Sequence, residues 1–332
     1  MKFERTQVWG FEHAIRGMRN PKNSWGKSDS MDCAYSIDGG MCGFCDEPVY
    51  TDLECPDTAY GNTIAIGPND MKLMKALIKG GPEHRKFMRQ IFVSVDITAP
   101  LYWWKEFDTY KVGTVANSTS TMHKMLSRPI EMDCFENDDY DPDLYVPHVN
   151  QEEYLTEAGK ELGFEAHWHV EHMWTTLLEY MEDLRQASLN EKDPVIAKRL
   201  WKELIRVLPE GWLQTRTVTL NYEVVYAQVH QRKNHKQNEW SGIDQPDLPN
   251  FIAWAHSLPY ADVLLFDQEL PSVIEKAVDR IPNTIFSQKN WEKRAEKFLN
   301  DYGVITRDEN GNFLNSHDIY CNMGALVPED AV

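Results

Sequence analysis

The feature that most constrains the fold is a short segment, residues 91–98, in which apolar side chains take every second position. These apolar residues are Ile91, Val93, Val95 and Ile97. A period of two is typical of a strand with one buried face. The preceding apolar-faced stretch ends at Gly80-Gly81, and Pro100 follows the segment. Because glycine commonly ends helices and proline suits their first turn, the pattern predicts helix, strand and helix in that order.

The same patterns continue along the chain. Helical periodicity predicts helices over residues 70–79, 100–111, 151–187, 194–207 and 251–256. The helix over 151–187 is either continuous or interrupted near Gly163. A stretch rich in Thr and Val predicts a strand over 213–220, and Asn221 is suited to cap the helix after it. Asn234 and Gln237 come close to a capping box at the next helix start. Strands separated by long helices indicate an α+β or α/β fold with one sheet covered by helices.

Composition divides the chain into three parts. Residues 1–65 are rich in Gly, Asn, Asp, Cys and Pro, and helical periodicity there is short, around Phe11 to Met18. We expect an irregular N-terminal extension that packs on the main body. Residues 66–305 carry the predicted helices and strands of the main domain. Residues 306–332 form a polar C-terminal tail.

Charge and hydropathy exclude several classes of partner. The formal net charge is −18, and a broad acidic surface repels the phosphate backbone of a nucleic-acid polymer. A single nucleotide needs only a local cluster of cations. No apolar run reaches the roughly 18 residues of a membrane span, and the first ten residues lack the apolar region of a signal peptide. We therefore expect a cytoplasmic protein with reduced thiols and no membrane contact.

Two groups of residues could hold a metal. Four cysteines lie close together in sequence, with one C-x2-C pair: Cys33, Cys42, Cys45 and Cys55. That spacing can hold zinc, but the other two cysteines form no second close pair, so ordinary reduced thiols are the main interpretation. Glu165, His169 and His172 would share one face of a helix, which we interpret as a polar face without metal.

A longer pattern runs over residues 71–124. Glu83-His84 precede the predicted strand, Ala99-Pro100 follow it, and a Thr/Ser-rich loop comes later. This order resembles the flavin-dependent thymidylate synthases, which place Gly-His before the strand, Ala-Pro after it, and then the signature R-H-R-x2-S-x4-S-x-R. Without gaps, the signature positions fall on Thr109-Tyr110-Lys111, Thr114, Thr119 and Thr121. Hydroxyl groups and one cation are kept, while two arginines and the histidine are replaced, as in a divergent member.

A second segment, residues 208–240, resembles the same family. The family has Leu-Pro, a strand, Thr-x-Asn, a helix, an arginine and then a helix that bears an amide. The matching residues here are Leu208-Pro209, Thr219, Asn221, Arg232 and Gln237, followed by Glu239-Trp240. In the family this arginine contacts the uracil ring. A fixed guanidinium beside a developing enolate stabilises its charge.

The resemblance implies a thymidylate synthase complementing protein-like fold: α+β, with a single mixed or antiparallel sheet covered by long helices. It implies an FAD-dependent methyltransferase that reductively methylates a pyrimidine deoxynucleotide, dUMP, with methylenetetrahydrofolate and NADPH as co-substrates, and a homotetramer. Arg232 would be catalytic and would contact the nucleotide. The other nucleotide-binding residues would be Lys111, Thr114, Thr119, Ser120 and Thr121. The cofactor-binding residues would be His84, Asn221 and Gln237.

Other interpretations of these residues stay open. Arg232 is one of several cations near a helix end, where they favour the helix dipole. His84 lies in a polar turn, where a solvent-exposed histidine is ordinary. Residues 117–121 could only cap a helix, because Ser and Thr often bond local backbone groups. The chain could also keep the fold and run altered nucleotide chemistry, or be a noncatalytic nucleotide-binding or structural descendant.

Overall fold

A computed structural model of the protein describes residues 1–32, 60–149, 155–162 and 167–267. The strands in these ranges are β1 (Lys2–Trp9), β2 (Met31–Asp32), β3 (Ile64–Ala65), β4 (Phe92–Pro100), β5 (Thr114–Ser118), β6 (Tyr145–Pro147), β7 (His167–His169) and β8 (Leu213–Asn221). The candidate zinc cysteines at positions 33–55 and the predicted tail at 306–332 lie outside the described residues.

The helices begin with α1 (Phe11–Arg19), α2 (Pro68–Lys79), α3 (Leu101–Phe107), α4 (Thr121–Lys124) and α5 (Glu157–Glu161). They continue with α6 (Val170–Asn190), α7 (Pro194–Val207), α8 (Tyr222–Arg232), α9 (Asn238–Ser241), α10 (Phe251–Ser257) and α11 (Ala261–Leu264). No helix in the described ranges is long and apolar enough to cross a membrane.

The centre of the fold is a four-stranded antiparallel sheet in the order β1-β4-β8-β5. Strand β4 pairs with β8 over nine residues, from Phe92 opposite Asn221 to Pro100 opposite Leu213. The apolar side chains of the 91–97 alternation are all buried. They pack in one core with residues of α1, α2, α3, α8 and α10. The prediction of mixed helix and antiparallel sheet is confirmed, but the sheet is not single, because β2–β3 and β6–β7 form two further two-stranded sheets.

A second, smaller core lies beside the first. It joins residues 125–135 to the helix pair α6–α7 and to Trp212, with Phe135, Met181 and Leu204 fully buried. Arg185 of α6 binds Glu182 at 2.7 Å, and Glu182 accepts a hydrogen bond from the Ile130 backbone at 3.0 Å. The pKa of Glu182 is lowered to about 2, most of all by the hydrogen bond from Arg185 and also by the one from Ile130. A charged carboxylate thus fixes the segment that follows the candidate nucleotide loop.

Three sequence predictions differ from the structure. Residues 2–9 are not irregular, because Lys2–Trp9 is an edge strand of the central sheet, whereas the short helical periodicity around Phe11 to Met18 is the helix Phe11–Arg19. Residues 151–187 do not form one continuous helix: Glu157–Glu161 and Val170–Asn190 are separate helices, and His167–His169 pairs with Tyr145–Pro147 as a short ribbon before α6. His169 therefore does not share a helical face with His172, and Gly163 and Glu165 lie outside the described residues. The domain boundaries remain predictions.

The polar core of the N-terminal part is built on Asp70, which is fully buried. Its carboxylate accepts from Arg19 Nε at 2.6 Å, from Ser28 Oγ at 2.6 Å and from Ser30 Oγ at 2.7 Å. Burial raises the pKa of Asp70, but the hydrogen bonds from Ser28, Ser30 and Arg19 together outweigh it and leave the pKa below 3.8. The carboxylate therefore ties α1 and the 28–30 turn to the start of α2.

Replacing Asp70 with Asn should destabilise the fold, because it leaves the buried Arg19 guanidinium without a counter-charge. We expect a loss of about 3–5 kcal/mol in the free energy of unfolding, measured by urea titration. The folded-state pKa of Asp70 is depressed, so its contribution is complete above pH 3.8 and is lost as the pH falls through the folded value. The difference in the free energy of unfolding between wild type and D70N should therefore shrink as the pH falls.

Glu203→Gln is the matched control, since Glu203 pairs with Arg206 on the exposed face of α7. Exposed pairs contribute at most about 1 kcal/mol. Equal losses for D70N and E203Q would contradict a special role for the buried pair.

Candidate functional site

The two segments that carry the resemblance meet where the end of α3 faces the end of α8. Helix α3 follows β4 directly, and α8 follows β8 directly. Because β4 and β8 are paired residue by residue, the positions of both helices are set by one ladder. Arg232, the last residue of α8, contacts Glu106 and Tyr110. Glu106 and Tyr110, which precede Arg232 by 126 and 122 positions in the sequence, therefore share one cluster with it.

Arg232 is held from three sides. Its Nη2 lies 2.6 Å from a carboxylate oxygen of Glu106, and its Nε donates to the Tyr110 hydroxyl at 3.0 Å. The guanidinium carbon lies 5.4 Å from the ring centroid of Trp240. The side chain is 16% exposed. The guanidinium is thus positioned, partly shielded from water and neutralised by a carboxylate of the same chain.

Tyr110 stands where the family signature has its histidine, and it connects two residues of α8. Its hydroxyl accepts from Arg232 and donates to Gln231 Oε1 at 2.8 Å. His235 lies close by, and burial, followed by the charge of Arg232, lowers its pKa. The Gln237 backbone N–H donates to His235 Nδ1 at 3.2 Å. The lowered pKa and the N–H donated to Nδ1 both favour a neutral imidazole beside Arg232.

Lys111 lies on the turn after Tyr110, and Thr114 is the first residue of β5. Lys111 is exposed and has no ion pair with the residues of the described ranges. The Thr114 hydroxyl is buried without a hydrogen-bond partner there. Gly113 between them has φ 82°, and a Cβ would lie 2.8 Å from Asn221 Nδ2. Asn221 caps α8, accepting from Val224 N at 3.1 Å, as predicted.

Thr119, Ser120 and Thr121 lie at the other end of β5, about 17 Å away along the strand. Ser120 caps α4: its hydroxyl accepts from the His123 N–H at 3.4 Å. Gln214 donates to the Thr119 carbonyl at 2.9 Å and to the Thr121 hydroxyl at 3.2 Å. The structure therefore shows the capping role of the loop, and phosphate binding by it remains a prediction.

Two residues that sequence reasoning missed connect this loop to α3. Arg216 donates to Gln214 Oε1 at 2.9 Å and to Asp108 Oδ1 at 2.7 Å, and its guanidinium carbon lies 4.2 Å from the Trp104 ring. Gln214 and Arg216 lie on the same face of β8 as the buried Val218, because alternate residues of a strand share a face. The exposed Thr217 lies on the opposite face. The sequence signal that could have identified them is the presence of two polar residues on the inner face of a strand.

His84 lies apart from Arg232. It is exposed, and the next residue, Arg85, binds Glu223 through both carboxylate oxygens, at 2.9 and 3.1 Å. Glu223 is the second residue of α8, nine residues before Arg232, which is about 13 Å along the helix. His84 and Arg232 therefore lie toward opposite ends of one helix.

Gln237 and three core residues have buried polar atoms without partners in the described part of the chain. They are Gln237 Oε1, both amide atoms of Gln228, and the indole nitrogens of Trp103 and Trp240. Trp103 and Trp240 stack at 4.5 Å. Gln237 precedes α9 without a side-chain cap bond, so the predicted capping box is wrong. Buried groups of this kind are usually satisfied by water or a ligand.

Among the described residues, no group of three or more His, Cys, Asp or Glu side chains could hold a metal ion. The free cysteine in this part of the chain, Cys134, is buried. Burial raises the pKa of its thiol.

Comparisons with known proteins found remote similarities. No protein-family model matches the chain, and no curated protein matches it. It is similar to the flavin-dependent thymidylate synthase of Helicobacter pylori solved with FAD and dUMP: the identity is 14%, the TM-score 0.44, and 80% of this chain and 99% of that chain are covered. For thymidylate synthase X of the same organism with FAD and dUMP, the values are 13%, 0.41, 79% and 97%. The ligands in these structures are those of the Helicobacter pylori proteins.

The contact between Tyr110 and Arg232 should appear as coupling in a double-mutant cycle. Tyr110→Phe removes the hydroxyl that accepts from the guanidinium, and Arg232→Ala removes the donor. A hydrogen bond to a charged group should give a coupling of about 1–2 kcal/mol in the free energy of unfolding, measured by urea titration. The control cycle pairs Arg232→Ala with Tyr226→Phe, whose hydroxyl binds Asp267 instead. Additive losses in both cycles would contradict the contact.

Proposed function

We propose that this chain binds a pyrimidine deoxynucleotide beside Arg232 and is an enzyme of the flavin-dependent thymidylate synthase type. By resemblance, it would reductively methylate dUMP, with the methylene group from methylenetetrahydrofolate, the hydride from reduced FAD and NADPH as reductant. The observation that carries the proposal is the meeting of the two resembling segments at the contact of Arg232 with Tyr110 and Glu106.

Arg232 is suited to the role of a preorganised electrostatic group. Its guanidinium is fixed by contacts from α3, from the turn after α3 and from Trp240 before any ligand binds. A fixed cation stabilises charge that develops on a pyrimidine ring without having to reorganise during the reaction. The N–H groups of Arg232 that neither Glu106 nor Tyr110 takes up would contact the base.

Lys111 and the hydroxyl residues would hold the rest of the nucleotide. Lys111 lies on the turn after Tyr110, and the hydroxyl of Thr114, the first residue of β5, has no hydrogen-bond partner in the described ranges, which supports a phosphate contact there. Thr119, Ser120 and Thr121 would bind through a rearranged loop, since their hydrogen bonds to Gln214 and His123 would have to change. His84, Asn221 and Gln237 are proposed on the cofactor side, where the unpartnered Gln237 oxygen supports a polar contact.

The described residues of one chain do not fit FAD on their own. A dinucleotide brings two phosphates, but the arginines around the site are each paired with a carboxylate: Arg85 with Glu223, Arg216 with Asp108 and Arg232 with Glu106. The roles assigned above to the nucleotide-binding residues therefore do not depend on FAD. By resemblance, FAD binding would need a neighbouring subunit of a homotetramer.

The same observation favours a second candidate function. Paired arginines, together with Thr109, Tyr110 and Thr121 at signature positions, favour a relative that keeps nucleotide binding and runs a different chemistry on the base. Both functions share the Arg232 site. They differ in whether flavin binds, and a cytoplasmic location suits either.

Thermal unfolding with dUMP, dCMP and dTMP tests the nucleotide site. A ligand that binds only the folded state stabilises it by about 2.7 kcal/mol at a hundredfold excess over Kd, so at least one of the three should raise the melting temperature. Arg232→Ala should abolish that rise. The control, Arg206→Ala, removes an arginine exposed on α7 and should leave the rise unchanged. No shift with any nucleotide would refute the site.

Titration with FAD separates the two enzymatic candidates. The thymidylate synthase type should quench flavin fluorescence in the assembled oligomer, with a stoichiometry near one flavin per chain. A nucleotide-dependent thermal shift without flavin quenching would instead support the altered chemistry.

A further inference from the structure

The side chain of Glu106 covers the charged end of Arg232. Its carboxylate is 2.6 Å from Arg232 Nη2, and it is 41% exposed whereas Arg232 is 16% exposed. The carboxylate is therefore the more accessible half of the pair. A ligand that approaches Arg232 from solvent meets the negative charge together with the positive one.

The contacts of Glu106 set it apart from its neighbours on α3. Lys105, one residue earlier, pairs with Glu210, and both of these side chains are more than half exposed. Asp108, two residues later, pairs with Arg216 and is half exposed. Glu106 alone of these acidic neighbours faces the arginine on which the nucleotide proposal depends.

The charges of Arg232 and Glu106 determine which part of a ligand can bind to Arg232. A phosphate group at a similar distance from the guanidinium and the carboxylate gains little, because attraction to one is offset by repulsion from the other. A pyrimidine base has no net charge, so the carboxylate does not repel it. Its carbonyl groups can still accept from the guanidinium N–H groups that remain.

We propose that Glu106 is a specificity-determining residue that excludes phosphate from Arg232 and so reserves this guanidinium for a neutral ring. The part of the inference that concerns a base rests on the proposed function. The exclusion of phosphate depends only on the Arg232–Glu106 pair. It follows that the phosphate of a bound nucleotide lies away from Arg232, where the exposed Lys111 is one of the cations without a carboxylate partner in the described ranges.

The test is phosphate binding to wild type and to Glu106→Gln. Glutamine keeps the length of the side chain and an oxygen that can accept from Arg232, but it removes the negative charge. We expect E106Q to bind inorganic phosphate about tenfold more tightly than wild type at low salt, measured by isothermal titration calorimetry. The gain should weaken as ionic strength rises.

Three further variants isolate the effect. Glu210→Gln removes a carboxylate from the exposed pair with Lys105 and should leave phosphate binding at Arg232 unchanged. E106Q combined with Arg232→Ala should return phosphate binding to the wild-type level. Glu106→Asp, which draws the carboxylate back by one methylene, should give a smaller gain and serves if E106Q does not fold.

Competition with deoxyuridine, which lacks the phosphate, completes the experiment. In wild type, inorganic phosphate should not displace deoxyuridine, whereas in E106Q it should. If deoxyuridine and dUMP bind wild type but E106Q gains no phosphate affinity, the role of Glu106 is refuted and the proposed function stands. If neither binds while E106Q still gains phosphate affinity through Arg232, the exclusion is supported and the proposed function fails.

Discussion

The nine-residue pairing of β4 with β8 is the interaction on which the rest of the structure depends. It joins Phe92–Pro100 to Leu213–Asn221 in one register, across more than a hundred residues of intervening chain. One face of this ladder is the floor of the main core, where Val93, Val95, Ile97 and Val218 are fully buried. A slip of one residue would turn each of these side chains to the opposite face. The apolar alternation therefore fixes the register, and the register fixes where α3 and α8 leave the sheet.

The arginines around the site that results are neutralised from within. Arg85, Arg216 and Arg232 are each bound by a carboxylate, and the chain carries a net charge of −18. A dinucleotide site would benefit from uncompensated positive charge, whereas a site for a neutral ring needs positioned donors. Arg232 also lies against the rings of Trp240 and Tyr110. The arrangement is better suited to recognise a base than to collect phosphates.

The parts of the fold that could be predicted are those with strong local patterns. The alternation at 91–97 predicted β4, Pro194–Val207 was predicted as a helix with those bounds, and Asn221 caps α8 as its position indicated. Strand β1 was missed because Lys2–Trp9 is an edge strand of mixed polarity with little alternation. Arg232 was named from its place in the resembling segment. Glu106 could not be named, because an ion pair across 126 residues leaves no mark in local periodicity.

The rigidity of Arg232 follows from the aromatic layer beneath it. Trp240 stacks on Trp103 at 4.5 Å, and Trp103 stacks on Phe107 at 5.1 Å. Trp103 and Phe107 belong to α3, the helix that also carries Glu106, so the stack and the ion pair fix the same helix against Arg232. The guanidinium cannot move toward solvent without breaking a hydrogen bond to Tyr110 and leaving Glu106 unpaired. The Arg232 side chain loses its conformational entropy during folding and not on ligand binding. Its N–H donors are therefore already oriented when a ring binds.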